Sequence, residues 1–476
     1  MSGDIELEIG AGAQPGSYVV RVIHAAAGGE PMGELYLDID DMLGQRDLLE
    51  ATVLASAVPR RAVAATEQPV REAGQQLFRA LFTGPVYGMY RASLGVAQQR
   101  GERLRVVLRL TAPELAALPW ETLFDPETET YLCRQEPLVR HVPAPYTADP
   151  LEVRPPLRIL GLVSSPAGLP PLDVAAEKRH LEGALAGPIA AGLVEVTWVP
   201  AATWSAVQAR LLAGEWHVLH FVGHGDYDAE AGEGLVALTG PDGQVDLVTA
   251  ARLADLLREA QPAPRLVMLN SCASGQTGAK DIFSSTAATL VRSGINAVAA
   301  MQFAISDNAA IAFATGFYTA IAHGRSVDEA ARSGRIAILG TPHSMEWVTP
   351  VLYVRGPATR LFTITGSPPT GPVPDPRSAQ PASVPFEPRP VQPQVPSQTS
   401  AMARRAWTGL RAIYDDARPA PRPASDHRGR RGQAPTRGPN WVRTEERFRD
   451  PGTGVIMRVW IDPADQSRHY LSEDER

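Results

Sequence analysis

Cysteine is almost absent from this chain, whose 476 residues include only Cys133 and Cys272. Disulfide frameworks are typical of secreted proteins, so this scarcity predicts a reducing, cytoplasmic setting. The N-terminus lacks the basic segment and apolar core of a signal peptide. No apolar run has the length that spans a bilayer. The net charge of −7 is modest, and we therefore expect neither nucleic acid nor a membrane as partner.

The chain also lacks the motifs of several enzyme classes. It has no Walker loop, and the first strand of its predicted sheet ends in "LVSSPAGLPPLD" rather than in Gly-x-Gly-x-x-Gly, which disfavours a nucleotide-binding domain. No Gly-x-Ser-x-Gly elbow follows a strand, which disfavours a serine hydrolase. One cysteine and one nearby histidine fall short of a metal-ligand set. We expect no cofactor and no metal.

Residues 158–356 alternate strand-like and helix-like segments. The predicted strands are residues 158–165, 194–200, 217–223, 265–270, 295–303 and 351–356. The predicted helices are residues 173–187, 204–214, 249–260, 281–293, 306–323 and 326–339, with N-cap candidates at Asp173, Thr203, Thr249, Asp281 and Ser306. This alternation predicts an α/β fold whose six-stranded, mostly parallel sheet has helices on both faces, within residues 151–365.

The remaining segments differ in composition from this region. The sequence pattern of residues 1–150 predicts a smaller α+β unit packed on the sheet domain. Residues 366–440 contain sixteen prolines and little aliphatic periodicity, which predicts a disordered linker. Residues 441–476 predict a small β-rich module, a three-stranded meander with two turns. The linker and this module are the segments that we expect to bind a regulatory or recruiting protein.

A histidine and a cysteine follow two of the buried strands. His224 lies between two glycines directly after "HVLHFVG", and Cys272 follows "RLVMLN". Strands joined by a right-handed crossover are expected to be neighbours, and their carboxyl ends meet at one edge of the sheet. The sequence therefore predicts that the imidazole and the thiol face each other.

This pair has the chemistry of nucleophilic catalysis. The thiolate is the nucleophile, and an adjacent imidazole both lowers the thiol pKa and can protonate a leaving amine. The backbone N–H groups of Gly225 and Cys272 are candidates for an oxyanion hole. A lone buried cysteine or histidine is more often structural, but the two matched strand exits favour a functional reading. Cys133, within a predicted short strand, is interpreted as a packing residue.

These residues resemble the CHAT-domain family of caspase-like (clan CD) cysteine peptidases. The motifs are "LPWETLFD" (118–125), "HVLHFVGHGDY" (217–227), "LVMLNSCASGQTG" (266–278), "LVRSGINAVAAMQFAISD" (290–307) and "GFYTAIAHGRSVDEAARSGRIAI" (316–338). The resemblance implies a His224–Cys272 dyad in a cytoplasmic endopeptidase that cleaves specific protein substrates, in a regulated bacterial defence or cell-death pathway. The tetratricopeptide repeats that often accompany such domains are missing.

The residues that could line the substrate pocket are Asp226, Asn270, Asp281 and Asp307. In related peptidases an acidic residue near the dyad often selects a basic side chain at P1, the residue before the scissile bond. Asn270 stands where metacaspase-like enzymes carry Asp, which argues the other way, so the sequence leaves the P1 preference open. It also leaves open self-cleavage at the dibasic sites 403–406 and 429–432.

A second hypothesis retains the predicted fold but assigns it no catalytic activity. The chain would then be a catalytically silent scaffold that uses the caspase-like sheet as a platform for protein interactions. Because both dyad positions are filled, the sequence favours the enzyme.

Overall fold

A computed structural model of the chain describes residues 3–57, 63–144, 148–228, 232–270, 282–341, 344–366, 442–449, 456–461 and 468–472. They belong to two units, one within residues 1–413 and one within residues 414–476. The predicted linker lies outside the described residues from position 367 onward. Within the described part, no helix combines the length and the apolar character that crossing a membrane requires.

The N-terminal part alternates short strands and helices. Its strands are β1 (Asp4–Ala11), β2 (Ser17–Ala25), β3 (Met32–Tyr36), β4 (Arg105–Leu110), β5 (Phe124–Asp125), β6 (Thr130–Tyr131) and β7 (Leu138–Val142). Its helices are α1 (Ile39–Gly44), α2 (Arg46–Ser56), α3 (Val63–Leu81), α4 (Gly84–Gln99) and α5 (Leu132–Gln135), with 3-10 helices at Pro113–Ala117 and Trp120–Thr122. Helix α3 ends at Leu81 and α4 begins at Gly84-Pro85. Cys133, predicted to lie in a short strand, lies in the one-turn helix α5 instead.

The middle part contains the predicted α/β alternation. Its strands are β8 (Leu151–Val153), β9 (Leu157–Val163), β10 (Val194–Trp198), β11 (Val218–Val222), β12 (Gly225–Asp228), β13 (Glu233–Thr239), β14 (Val245–Thr249), β15 (Leu266–Asn270), β16 (Ala297–Met301), β17 (Pro350–Arg355) and β18 (Phe362–Ile364). Its helices are α6 (Val174–Ala184), α7 (Ala186–Ala190), α8 (Trp204–Leu212), α9 (Ala250–Leu257), α10 (Ile282–Arg292), α11 (Asp307–Ala322) and α12 (Val327–Leu339), with a 3-10 helix at Glu346–Val348.

The described residues of the C-terminal unit form three antiparallel strands. They are β19 (Val442–Arg449), β20 (Ile456–Ile461) and β21 (Arg468–Ser472), paired in the order β19-β20-β21.

Four of the predicted N-caps close the first turn of a helix, as expected. Asp173, Thr203, Thr249 and Ser306 each accept a hydrogen bond from the backbone N–H three residues later. Such a cap satisfies one of the backbone donors that have no partner within the helix. The fifth candidate, Asp281, lies outside the described residues.

The central sheet is larger than the sequence predicts. Within the described residues it has eleven strands in the order β10-β9-β11-β15-β16-β17-β7-β4-β1-β2-β3. The strands from β10 to β16 are parallel, and β17 is antiparallel to β16. Strands β7, β4 and β1 then continue the sheet in parallel from β17, so the N-terminal strands extend it instead of packing on it. Hydrophobic alternation identifies a strand, but it does not say which sheet edge the strand joins.

Both faces of the sheet are buried at its central strands β9, β11, β15 and β16. In β15, Leu266 and Met268 pack into one hydrophobic core, and Val267 and Leu269 pack into the other. Successive side chains of a strand point to opposite faces, so a strand that is apolar throughout needs cover on both sides. This explains why β11, β15 and β16 contain hardly any polar residues.

A buried ion pair joins the "LPWETLFD" segment to the sheet. The Oε2 atom of Glu121 lies 2.5 Å from Nη2 of Arg140 on β7, and both side chains are fully buried. Gln302, which follows β16, donates from Nε2 to the same carboxylate at 3.1 Å and to the Val348 carbonyl at 2.7 Å. Glu121 is therefore a structural residue that holds the segment entering α11.

Candidate active site

Strands β11 and β15 end side by side, as the sequence predicts. They pair in parallel with Val222 opposite Asn270, and the N–H of Gly223 donates to the Asn270 carbonyl at 3.3 Å. An added Cβ at Gly223 would lie 2.5 Å from Cζ of Phe221, so a larger residue would force the buried Phe221 ring to move. The chain thus leaves the sheet at one edge from both strands.

His224 is half-buried at this edge, and a backbone carbonyl holds its imidazole. Its Nε2 atom lies 2.7 Å from the carbonyl oxygen of Pro170. A carbonyl only accepts, so Nε2 carries the proton and Nδ1 carries the lone pair in the neutral ring. The hydrogen bond therefore selects the tautomer in which Nδ1 is the base.

The Pro170 carbonyl is itself held by the segment between β9 and α6. The N–H of Leu172 donates to Oγ of Ser165 at 2.9 Å, and the N–H of Ala167 donates to the Gly243 carbonyl at 2.9 Å. These two bonds tie the segment to itself and to the turn between β13 and β14. The acceptor of the histidine proton is thereby fixed in place before a substrate binds.

A small pocket of about 20 Å³ lies beside the two strand ends. Val222 and Asn270, the last residues of β11 and β15, form part of its wall. Helix α6 contributes Glu177 and His180, and helix α11 contributes Asp307. The ligand atoms of these three side chains lie within 4.8 Å of one another. The pocket therefore carries two carboxylates and an imidazole from helices that are distant in sequence.

A buried carboxylate supports the helix end that presents Asp307. Glu346 accepts hydrogen bonds from the backbone N–H of Ser306 at 2.5 Å and from its hydroxyl at 2.9 Å. The Ser344 hydroxyl donates to the same carboxylate at 3.1 Å. Burial raises the pKa of Glu346, while these hydrogen bonds and the negative charge of Asp307 act on it in opposite directions. Asp307 is thus the first residue of a well-anchored helix.

The structure brings together some of the predicted site residues and not others. Asn270 and Asp307 line the pocket, whereas His224, two residues after the end of β11, is not one of its lining residues. Asp226 is exposed, and its carboxylate accepts from the backbone N–H of Tyr227 at 2.8 Å. Gly225 begins β12 and pairs with Val236 of β13. Cys272 and Asp281 lie outside the described residues, and their roles remain predictions.

Two other histidines and the second cysteine are packing residues. Burial lowers the pKa of His220, inside β11, to about 4, and its Nδ1 lies 2.8 Å from the Tyr318 hydroxyl. His217 accepts from the Arg158 N–H at 2.8 Å. The Cys133 thiol is fully buried and donates to the Glu121 carbonyl at 3.1 Å, and burial raises its pKa to about 11. None of these groups is charged at neutral pH.

The sequence analysis missed three residues of the site: Pro170, Glu177 and His180. The spacing of Glu177 and His180 places both on one helix face, which is a signal that local sequence does contain. No local signal connects them to Asp307, and a backbone carbonyl such as that of Pro170 has no sequence signature at all.

Comparisons with known proteins found one family model and solved structures to which the chain is similar. A family model described as the CHAT domain matches residues 71–381. Two solved structures of the Saccharomyces cerevisiae separase–securin complex match with TM-scores of 0.43 and 0.41 at 10% sequence identity. In both, the match covers 74% of this chain and only 30% of the other. No curated protein matches the chain.

Proposed function

The chain belongs to the CHAT domain family, and on that premise we propose that it is a cytoplasmic caspase-like cysteine endopeptidase. His224 and Cys272 form its catalytic dyad, and its substrates are specific protein partners in a regulated bacterial defence or cell-death pathway. The linker and the C-terminal strands serve to bind a regulatory or recruiting protein.

One observation carries this proposal: the adjacent exits of β11 and β15, with the imidazole of His224 already held in one tautomer by Pro170. Cys272 is the second residue after β15, so the covalent chain keeps its Cα within about 7 Å of that of Asn270. Neighbouring strands lie about 5 Å apart. These limits leave the thiol within reach of the imidazole.

The tautomer of His224 matches the chemistry of the reaction. Nδ1 takes the proton of the Cys272 thiol, and the thiolate attacks the scissile carbonyl carbon, whose π electrons move to the oxygen. The backbone N–H groups of Gly225 and Cys272 stabilise that oxyanion. The imidazolium then protonates the leaving amine as the C–N bond breaks. Water, deprotonated by the imidazole, hydrolyses the thioester and regenerates the thiol.

Alkylation distinguishes the peptidase from a silent scaffold. Iodoacetamide should label Cys272 rapidly and in a pH-dependent way, because a nearby imidazole lowers the thiol pKa. His224→Ala should slow this labelling by an order of magnitude or more. A Cys272 that reacts no faster than a free thiol, with or without His224, would favour the scaffold.

A search for new N-termini identifies the substrates. Cells expressing the wild type should contain protein fragments that are missing with Cys272→Ala. Identical fragments from both variants would contradict the proposed activity.

A further inference from the structure

We propose that Glu177, His180 and Asp307 bind one divalent transition-metal ion, and that Zn²⁺ is the ion that suits them. The three side chains come from helices α6 and α11, and their ligand atoms lie within 4.8 Å of one another. The proposal goes beyond the proposed peptidase and does not depend on it. From the sequence we expected no metal, because only one cysteine and one nearby histidine then came into question as ligands.

Helix α6 presents two of the three ligands on one face. Glu177 and His180 are three residues apart, so they are neighbours on the surface of the helix. The same Glu-x-x-His spacing presents a carboxylate and an imidazole to a metal in di-metal helical bundles. Asp307, the first residue of α11, adds a carboxylate from an element that is distant in sequence. A bound ion would therefore connect α6 to α11.

The types of ligand favour a transition metal. Imidazole nitrogen combined with carboxylate oxygen suits Zn²⁺, whereas Mg²⁺ and Ca²⁺ prefer oxygen ligands alone. Ligand atoms of one tetrahedral Zn²⁺ lie about 3.4 Å apart, and rotation of the exposed Asp307 side chain covers the difference from 4.8 Å. Glu177 has another contact in the folded chain, but a carboxylate has two oxygens and can bind an ion while keeping it.

A buried amide oxygen in the same pocket supplies an independent observation. Asn270 lines the pocket and is only 7% exposed, and its Oδ1 accepts no hydrogen bond from the described residues. Buried acceptors almost always have a donor, so an unsatisfied one beside a cavity indicates that a bound group brings it. The pocket volume of about 20 Å³ is enough for one water molecule. A water molecule that completes the coordination of the ion would fill this volume and donate to Asn270.

Isothermal titration calorimetry of the full chain with ZnCl₂ tests the site. The parent protein is Cys272→Ala, which lacks a thiol that could compete for the ion. One Zn²⁺ per chain should bind, and MgCl₂ should bind far more weakly. Glu177→Gln, His180→Gln and Asp307→Asn should each weaken Zn²⁺ binding roughly a hundredfold or more, because even residues that only support a ligand typically contribute about 10–100-fold.

Matched variants on the same two helices keep the result interpretable. Glu182→Gln is the control on α6, because Glu182 is exposed and accepts from Nε1 of Trp198 at 2.7 Å. His323→Gln is the control at the exposed end of α11. Both should bind Zn²⁺ as the parent does. Asn270→Asp should tighten binding roughly tenfold, since a charged acceptor strengthens the hydrogen bond from the metal-bound water, and misfolding cannot produce a gain.

Three outcomes would overturn the inference. A Kd for Zn²⁺ weaker than about 1 mM would show that the parent protein has no such site. Binding that all three ligand variants leave unchanged would show that the ion binds elsewhere. Equal affinity for Mg²⁺ would contradict the assignment to a transition metal. None of these outcomes bears on the proposed peptidase, which the alkylation of Cys272 tests separately.

Discussion

Removing one charge of the Glu121–Arg140 pair should destabilise the protein strongly. Glu121→Gln keeps the size of the side chain but removes the negative charge that contacts the buried guanidinium of Arg140. An uncompensated buried charge is far more costly than the loss of the pair as a whole.

The hydrogen bonds of Arg140 determine how large the loss in the free energy of unfolding should be. Arg140 donates from Nε to Oε1 of Glu121 at 3.2 Å and from Nη2 to Oε2 at 2.5 Å. Glu121→Gln replaces one of these two acceptors by an N–H donor, which removes one charge-assisted hydrogen bond worth about 1.5–3 kcal/mol. Since the negative charge is lost as well, the total should approach the roughly 3–5 kcal/mol that breaking a buried ion pair typically costs. The carbonyls of Ala116 and Leu118 still accept from Arg140, but they do not neutralise its charge.

Urea unfolding of the full chain, followed by tryptophan fluorescence, measures this loss. Glu182→Gln is the control and should change the free energy of unfolding by less than about 0.5 kcal/mol, as surface substitutions do. Adding Arg140→Met to Glu121→Gln should recover part of the loss, because the buried charge is then gone. If Glu121→Gln alone costs less than about 1 kcal/mol, the pair is not buried as described.

Three other predictions concern buried groups. Iodoacetamide at pH 8 should label one thiol per chain in the native wild type and two in the unfolded protein, because burial raises the pKa of Cys133 to about 11. Native Cys272→Ala should show no labelled thiol. Labelling of Cys133 in the native protein would contradict this prediction. Gly74→Ala should lower the free energy of unfolding by about 1–3 kcal/mol, since its Cβ would lie 1.9 Å from a backbone oxygen of the neighbouring 3-10 helix. Gly88 in α4 has no atom near the position of an added Cβ, so Gly88→Ala should be neutral or stabilising in the same urea titration. Equal losses of stability for Gly74→Ala and Gly88→Ala would refute the packing argument. In the folded protein the pKa of His220 is about 4, below its ordinary 6.5, so the free energy of unfolding should fall by up to about 3 kcal/mol as the pH drops from 6.5 to 4. His220→Gln should reduce this pH dependence of the urea midpoint. An unchanged dependence would exclude His220 as its cause.

What the sequence determined by itself is local. Apolar runs such as Leu266–Asn270 identify buried strands, and the caps at Thr203 and Ser306 start helices, because strand pleat and helix pitch impose their periods within a few residues. The parallel order of β11 and β15 also followed, since a crossover helix between strands has one hand. These features were enough to predict that β11, which precedes His224, and β15, which precedes the predicted nucleophile, end side by side.

What only the tertiary structure decided is which distant segments meet there. The N-terminal strands complete an eleven-stranded sheet among the described residues, and Pro170 holds the imidazole. Glu177 of α6 meets Asp307 of α11 although more than a hundred residues separate them. Such tertiary contacts depend on how helices and strands pack against one another. The spacing of residues within a single element does not specify that packing. The edge at which β11 and β15 end could therefore be predicted from local patterns, whereas the pocket beside it depends on the packing of elements that are distant in sequence.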